Sequence, residues 1–173
     1  MNARRDLKIC FMGGKQAGMI GTLTVLAWGG RMISAVSYSG DLTKVLNIFN
    51  IPMYKSVEDE GFVKDLERSD LLLCVHGREI VRPRLLDMPR LGAVNIHPYL
   101  SGYKGADPVG RALNEGDYNA SVGAHIMEEK IDHGRVLVEE YVDVSGAGSV
   151  VEVYNALYPH YSTVILKVLE MIR

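Results

Sequence analysis

Leu71-Leu72-Leu73-Cys74-Val75 is a run of five apolar residues with no polar position among them. A strand of this kind has no face to give to water, so it belongs in a parallel sheet covered by helices on both sides. Towards the N-terminus, Ser56 and Asp59 have capping-box spacing ahead of a helix to Arg68, and Ile51-Pro52 leads into a short strand at 53–54. Asp41 can cap a helix running to Phe49, residues 32–39 read as a strand, and residues 19–28 carry a helical apolar pattern ended by Gly29-Gly30. Residues 7–12 form one more apolar strand, turned by Gly13-Gly14. Strands and helices alternating at these lengths predict an α/β fold: a doubly wound, mostly parallel sheet with helices on both faces.

Towards the C-terminus the texture changes. Residues 93–97 are a strand ending in Pro98, followed by a glycine-containing loop over 99–106. Asp107-Pro108 reads as an N-cap with proline at the first helical position, and Gly116 closes that helix. Residues 121–127 and 136–142 are two strands joined by a charged connection. Ser149 and Glu152 make a second capping-box pair, and a helical pattern then runs to Arg173 through Val153, Leu157, Tyr161, Val164, Ile165, Val168 and Leu169. Pro159, inside that pattern, is expected to kink or split the helix. With no repeat, linker or charge block, residues 1–173 are expected to form a single domain.

Composition narrows the function classes. At 173 residues a chain buries roughly 70% of its unfolded surface and needs no disulfide or metal staple. A hydrophobic share of 47% with 23% charged residues excludes disordered and low-complexity classes. Lys and Arg number 19 against 21 Asp and Glu, a net charge of -2, whereas proteins of phosphate backbones usually carry a basic surplus; nucleic acid is not an expected partner. No apolar run approaches the roughly 20 residues that span a bilayer, so no membrane association is expected. Basic residues Arg4, Arg5 and Lys8 precede an apolar stretch broken at Gly13-Gly14-Lys15-Gln16, too short for a signal-peptide core. Cys10 and Cys74 lie inside strand-like runs and read as buried thiols of a reducing, cytoplasmic compartment.

The chemistry concentrates in Asn95-Ile96-His97-Pro98, at the carboxyl end of a predicted strand, where ligands of open α/β sheets bind. Residues two apart on a strand share a side, so Asn95 and His97 can face one site. An amide that can donate to an oxyanion, beside an imidazole that can move a proton, suits acyl transfer. Asp132, in Glu129-Lys130-Ile131-Asp132-His133-Gly134, is the candidate carboxylate to orient them. Spacing alone leaves a structural role for an Asn-x-His pair open. Five histidines and two strand cysteines show no metal-ligand spacing.

The ordered pieces Asn95-Ile96-His97-Pro98, Tyr103-Lys104-Gly105-Ala106-Asp107-Pro108, His125-Ile126-Met127-Glu128 and Ile131-Asp132-His133-Gly134-Arg135-Val136-Leu137 resemble the signature of folate-dependent formyltransferases. That family acts on glycinamide ribonucleotide, methionyl-tRNA and sugar amines, and its fold is a Rossmann-like formyltransferase sheet. The resemblance implies transfer of a formyl group from 10-formyltetrahydrofolate to an amine, with Asn95, His97 and Asp132 as catalytic residues and no metal. It implies a folate pocket from Val75, His76, Gly77, Arg78 and Ile80 with Glu129 and Ile131. Acceptor contacts fall to Gly13, Gly14, Lys15, Tyr103, Lys104, Gly105 and His125. The expected acceptor is a small-molecule amine, an amino sugar (nucleotide-linked or free) or glycinamide ribonucleotide; the acidic charge and the end at Arg173 disfavour tRNA. Hydrolysis of 10-formyltetrahydrofolate and a non-catalytic folate-binding module are the alternatives.

The sequence departs from the family pattern after His97. Tyr99-Leu100-Ser101-Gly102 replaces a common Ser-Leu-Leu-Pro, the segment to Gly105 is one residue short, and Lys104 stands where arginine is frequent. Lysine cannot make the forked contact of arginine. A homodimer completing the short loop through the terminal helix is an open reading of that difference.

Overall fold

The computed structural model describes residues 6–172; Arg4, Arg5 and Arg173 lie outside the described residues. Seven strands form one sheet in the order β3-β2-β1-β4-β5-β6-β7. Its parallel part comprises β1 (Lys8–Gly13), β2 (Arg31–Ser37), β3 (Met53–Tyr54), β4 (Leu71–Val75) and β5 (Ala93–Pro98). Two antiparallel strands, β6 (Asn119–Ile126) and β7 (Val136–Asp143), extend it. The helices are α1 (Lys15–Trp28), α2 (Gly40–Ile48), α3 (Glu60–Glu67), α4 (Pro83–Leu86), α5 (Pro108–Glu115) and α6 (Val150–Met171). The α/β fold with a mostly parallel sheet is as expected.

Strand alternation divides the interior into two apolar layers. On one face Ile9, Phe11, Leu71, Leu73, Val75, Val94 and Ile96 pack with buried residues of α1, α2, α5 and α6. On the other, Cys10, Met12, Leu72, Cys74 and Ala93 pack against Phe62 and Leu66 of α3 and Leu85 and Leu86 of α4. All five residues of β4 are buried, the reason for that uninterrupted apolar run. Both cysteines are free and buried. Burial pushes the Cys10 thiol up to about 11 and that of Cys74 up to about 12, so neither is a nucleophile at neutral pH.

Local details differ from the sequence expectation for physical reasons. The first helix begins at Lys15, four residues ahead of its apolar pattern. Ser39, whose side chain makes no capping bond, stands at the N-cap position of the second, with Asp41 inside its first turn. Asp59 caps α3, accepting from the Gly61 amide, and Ser56 lies ahead of the helix, its Oγ accepting from the Glu58 amide and donating to Glu79. Residues 85–86 and their neighbours belong to the short α4, with too few turns to show a period. The helix is not split at Pro159: α6 is continuous over 22 residues, Pro159 sits on its exposed side, and all seven apolar residues of the expected stripe are buried. The Ser149 cap forms as read, and Glu152 reaches back to the Gly148 amide at 2.6 Å. His160, which resembles a solvated helix residue in sequence, is half-buried with Nδ1 3.1 Å from Glu140. No helix among the described residues is long and apolar enough to cross a membrane.

Candidate active site

Along one face of β5 the side chains run Ala93, Asn95, His97. Ala93 belongs to the layer under α3 and α4; beyond it the same face turns polar, and loops over 99–106 and 127–135 take the place of helices. Register brings a third group alongside. Antiparallel pairing sets Asn95 opposite His125 and His97 opposite Gly123, so Asn95, His97 and His125 share a face. Gly123 is needed there: a Cβ would come within 2.6 Å of Leu100, which folds over the strand.

Asp132 descends onto this face from the β6–β7 connection. Its Oδ2 lies 3.1 Å from His97 Nε2 and accepts the Gly105 amide at 2.8 Å; its Oδ1 lies 3.2 Å from His125 Nε2 and 3.3 Å from Asn95 Nδ2. A carboxylate only accepts, so His97 Nε2 carries the proton of that contact. His125 Nδ1 lies 2.8 Å from the Ile126 carbonyl, and its Nε2 lies between Asp132 Oδ1 and Asn95 Nδ2; with a proton on Nε2 it donates to Asp132, and the 3.3 Å approach of the Asn95 amide is a contact only. Burial alone would raise the Asp132 carboxyl. Hydrogen bonds from His125 and His97, the His97 charge and the Gly105 N–H outweigh it and hold the carboxyl well below the usual carboxylate range. His97, His125 and Asp132 are all buried, and Asp132 has φ +55°, a left-handed conformation that residues with a Cβ rarely adopt. Such strain persists where the surroundings over-determine it. Among the described residues no group of three or more His, Cys, Asp or Glu side chains is arranged to hold a metal ion.

The remaining expected residues divide between two neighbourhoods. Gly13 and Gly14 form the turn at the crevice where strand order reverses, between β1 and β4; the Gly14 amide donates to the Val75 carbonyl. A Cβ on Gly13 would lie 2.6 Å from that carbonyl, so the close approach requires glycine. The Lys15 amide is taken by Ser39 Oγ at 3.0 Å, which removes one donor from any anion cradle at this helix start. Lys15 and His76 together line a cavity of about 260 Å³, whose far wall is α6: Tyr154, Asn155 and Tyr158. Burial, then the charges of Lys15, Arg78 and His97, push His76 down to about 4, so its ring is neutral at pH 7. The α6 residues were invisible as site residues in the sequence; the signal was two tyrosines four apart, off the buried stripe of that helix.

Val75 ends β4 with its side chain in the core, and the segment after it is irregular. Glu79 staples this segment down, accepting from Tyr38 Oη at 2.9 Å, from Ser56 Oγ and from the Val57 amide. Gly77, Arg78, Ile80, Glu129 and Ile131 are left exposed, Ile80 at 73% and Ile131 at 51%. In the loop after β5, Tyr103 Oη donates to Glu115 and Lys104 Nζ donates to the Asp132 carbonyl at 2.7 Å. Of the residues given to the acceptor, Lys104, Gly105 and His125 therefore contact Asp132 directly.

An open α/β sheet with an amide, two imidazoles and a buried, strained carboxylate at the end of a central strand defines a site for polar group transfer. The chain belongs to the formyl transferase family, whose model matches residues 55–169. A methionyl-tRNA formyltransferase of Fusobacterium nucleatum is 24% identical over 129 residues, 72% of this chain and 42% of that protein. The phosphoribosylglycinamide formyltransferase structure from Bacillus halodurans superposes with TM-score 0.79 at 17% identity, covering 94% of both chains. A formyltetrahydrofolate deformylase from Pseudomonas syringae superposes with TM-score 0.78 at 18% identity, covering 96% of this chain and 61% of that one. The chain spans less than half the length of the first curated relatives it matches.

Proposed function

We propose that this chain transfers the formyl group of 10-formyltetrahydrofolate to an amine of a small-molecule acceptor. The observation that carries the reading is the Asp132 carboxylate shared between His97 and His125, with the Asn95 amide beside it. The neutral amine adds to the formyl carbon, and the carbonyl oxygen becomes an oxyanion. Asn95 is engaged only by 3.3 Å contacts, near the weak limit for N–H bonds, so its amide is free to turn towards that oxygen. His97, whose Nδ1 is buried without a hydrogen-bond partner while Nε2 faces Asp132, donates alongside it when Nδ1 carries a proton. The ammonium proton of the adduct is relayed past Asp132, directly or through water, to N10, and the C–N10 bond breaks as the oxyanion re-forms the carbonyl and N10 keeps that proton. The exposed segment 76–80, with Glu129 and Ile131, is the face we assign to the folate co-substrate, Ile80 and Ile131 supplying apolar contact. We place the body of the acceptor in the cavity between Lys15, His76 and Tyr154. Its aromatic wall and single ammonium suit a sugar ring bearing the amine better than a polyphosphate or an RNA stem. The cytoplasm is the compartment we assign, on the two free buried thiols.

Turnover of 10-formyltetrahydrofolate, followed by absorbance and by mass of the formylated product, tests this against free and nucleotide-linked amino sugars, glycinamide ribonucleotide and simple amines. Amine-dependent turnover is the expected result. Formate release without any amine moves the reading to hydrolysis; folate binding with no turnover leaves a binding module.

A further inference from the structure

The geometry points to Lys104 as a positioning residue that holds Asp132 in its working conformation, in place of the acceptor contact its loop position suggests; the inference rests on the catalytic reading of Asp132. Asp132 is third in a turn closed by the His133 amide on the Lys130 carbonyl at 3.2 Å, a position at which positive φ favours glycine or asparagine. Aspartate visits this conformation only occasionally, so a contact to its main chain helps to keep it there. Lys104 Nζ donates to the Asp132 carbonyl at 2.7 Å, and no other hydrogen bond to that carbonyl is present among the described residues. The next amide, Gly105, donates to the carboxylate at 2.8 Å, and the Gly105 carbonyl lies 3.3 Å from His97 Nε2. Two consecutive residues thus grip the backbone and the side chain of Asp132 together. Gly105 has φ +81°, the conformation that lets its N–H turn inward.

The grip is itself anchored. From α5, Arg111 Nη2 donates to the Lys104 carbonyl at 2.6 Å and Nε to the Ala106 carbonyl at 3.1 Å, with the guanidinium 5.6 Å above the Tyr103 ring. A rigid helix therefore fixes the lysine's main chain while its side chain fixes the aspartate. If the Asp132 carbonyl is released, the turn relaxes and the carboxylate can no longer place one oxygen on His97 and the other on His125.

The test compares wild type with Lys104→Met, which keeps the length of the side chain and removes its donor, and Lys104→Arg, which keeps a donor. Expected for Lys104→Met is a fall in kcat of about 100-fold, the scale of an ångström-sized misplacement, with KM for amine and folate nearly unchanged; Lys104→Arg recovers most of the loss. The ring nitrogen NMR signals of His97 and His125 move in Lys104→Met while those of His160 stay in place. A raised acceptor KM with kcat kept overturns the proposal in favour of acceptor binding, as do unmoved kcat and unmoved histidine signals. If wild type formylates no amine, the functional reading fails and the histidine signals alone decide this one. Should Lys104→Met not fold, Arg111→Met, which removes only the outer anchor, is read in the same two ways.

Discussion

Asp132 combines two unfavourable conditions, burial and a left-handed backbone, and the groups around it account for both. Asparagine accepts positive φ readily, so Asp132→Asn separates the charge from the backbone. We expect formyl transfer to fall by about 1,000-fold, within the range for losing an acid–base group. The same variant reports on stability. The folded carboxyl lies below its unfolded value of about 3.9, so its contribution is present above about pH 4 and lost as pH falls further. The urea-midpoint gap between wild type and Asp132→Asn should therefore shrink on acidification. His76 behaves in the opposite range. Its ring titrates near 4 when folded and near 6.5 when unfolded, so between those values the unfolded state holds more protons and stability rises with pH. His76→Asn, which also tolerates the native φ of +60°, should flatten that slope in urea titrations.

Elements carry the next layer of constraint, and they show what the sequence could reveal. The parallel half of the sheet was legible because its strands are buried on both faces, so hydrophobic runs such as 71–75 mark them directly. Asn95 and His97 were legible because a two-residue period is local. The contacts of His125 were not: its place beside Asn95 depends on the register of an antiparallel pair 30 residues apart, and its contact with Asp132, seven residues on, depends on how the irregular β6–β7 connection folds back. Helix α6 is not split at Pro159, which lies on its exposed side, and buried residues on both sides of it, Leu157 and Tyr161 among them, hold the helix on the sheet. The β6–β7 connection is the element on which the site depends most. A Cβ on Gly134 would sit 1.9 Å from the Ile126 carbonyl oxygen, a backbone atom that cannot swing aside. Gly134→Ala should cost about 1–3 kcal/mol in denaturant titrations and displace Asp132, lowering kcat by more than the unfolded fraction explains. Gly102→Ala, whose Cβ would meet nothing within 4 Å, should change neither quantity.

At the scale of the molecule, one sheet face is covered by helices from β2 to β6, whereas the other has only α3 and the short α4, and loops roof the remainder. These loops would be weak points if each were not tied to a carboxylate of the same chain. The segment after β4 is tied to Glu79, and Asp132 ties down the segment around Gly105. Glu139 of β7 accepts from the Ser101 amide and hydroxyl and from Ser121 Oγ of β6. Tyr99 Oη donates to the Asp117 carbonyl and Tyr103 Oη to Glu115, so the short loop after β5 is fastened along its length. The shortness that left room for a partner in the sequence is taken up here by anchors on β7 and α5. We therefore expect one copy to suffice for turnover. Specific activity should stay constant on dilution through any dimer equilibrium seen by sedimentation, whereas a fall on dilution would mean that a second copy completes the site. Glu139→Gln, which weakens the tie to Ser101 without touching Asn95, His97 or Asp132, should increase amide hydrogen exchange over 99–104 and leave the strands β1, β4 and β5 protected. Local opening of this loop, separate from unfolding of the sheet, is the behaviour that an arrangement of rigid strands and individually tethered loops implies.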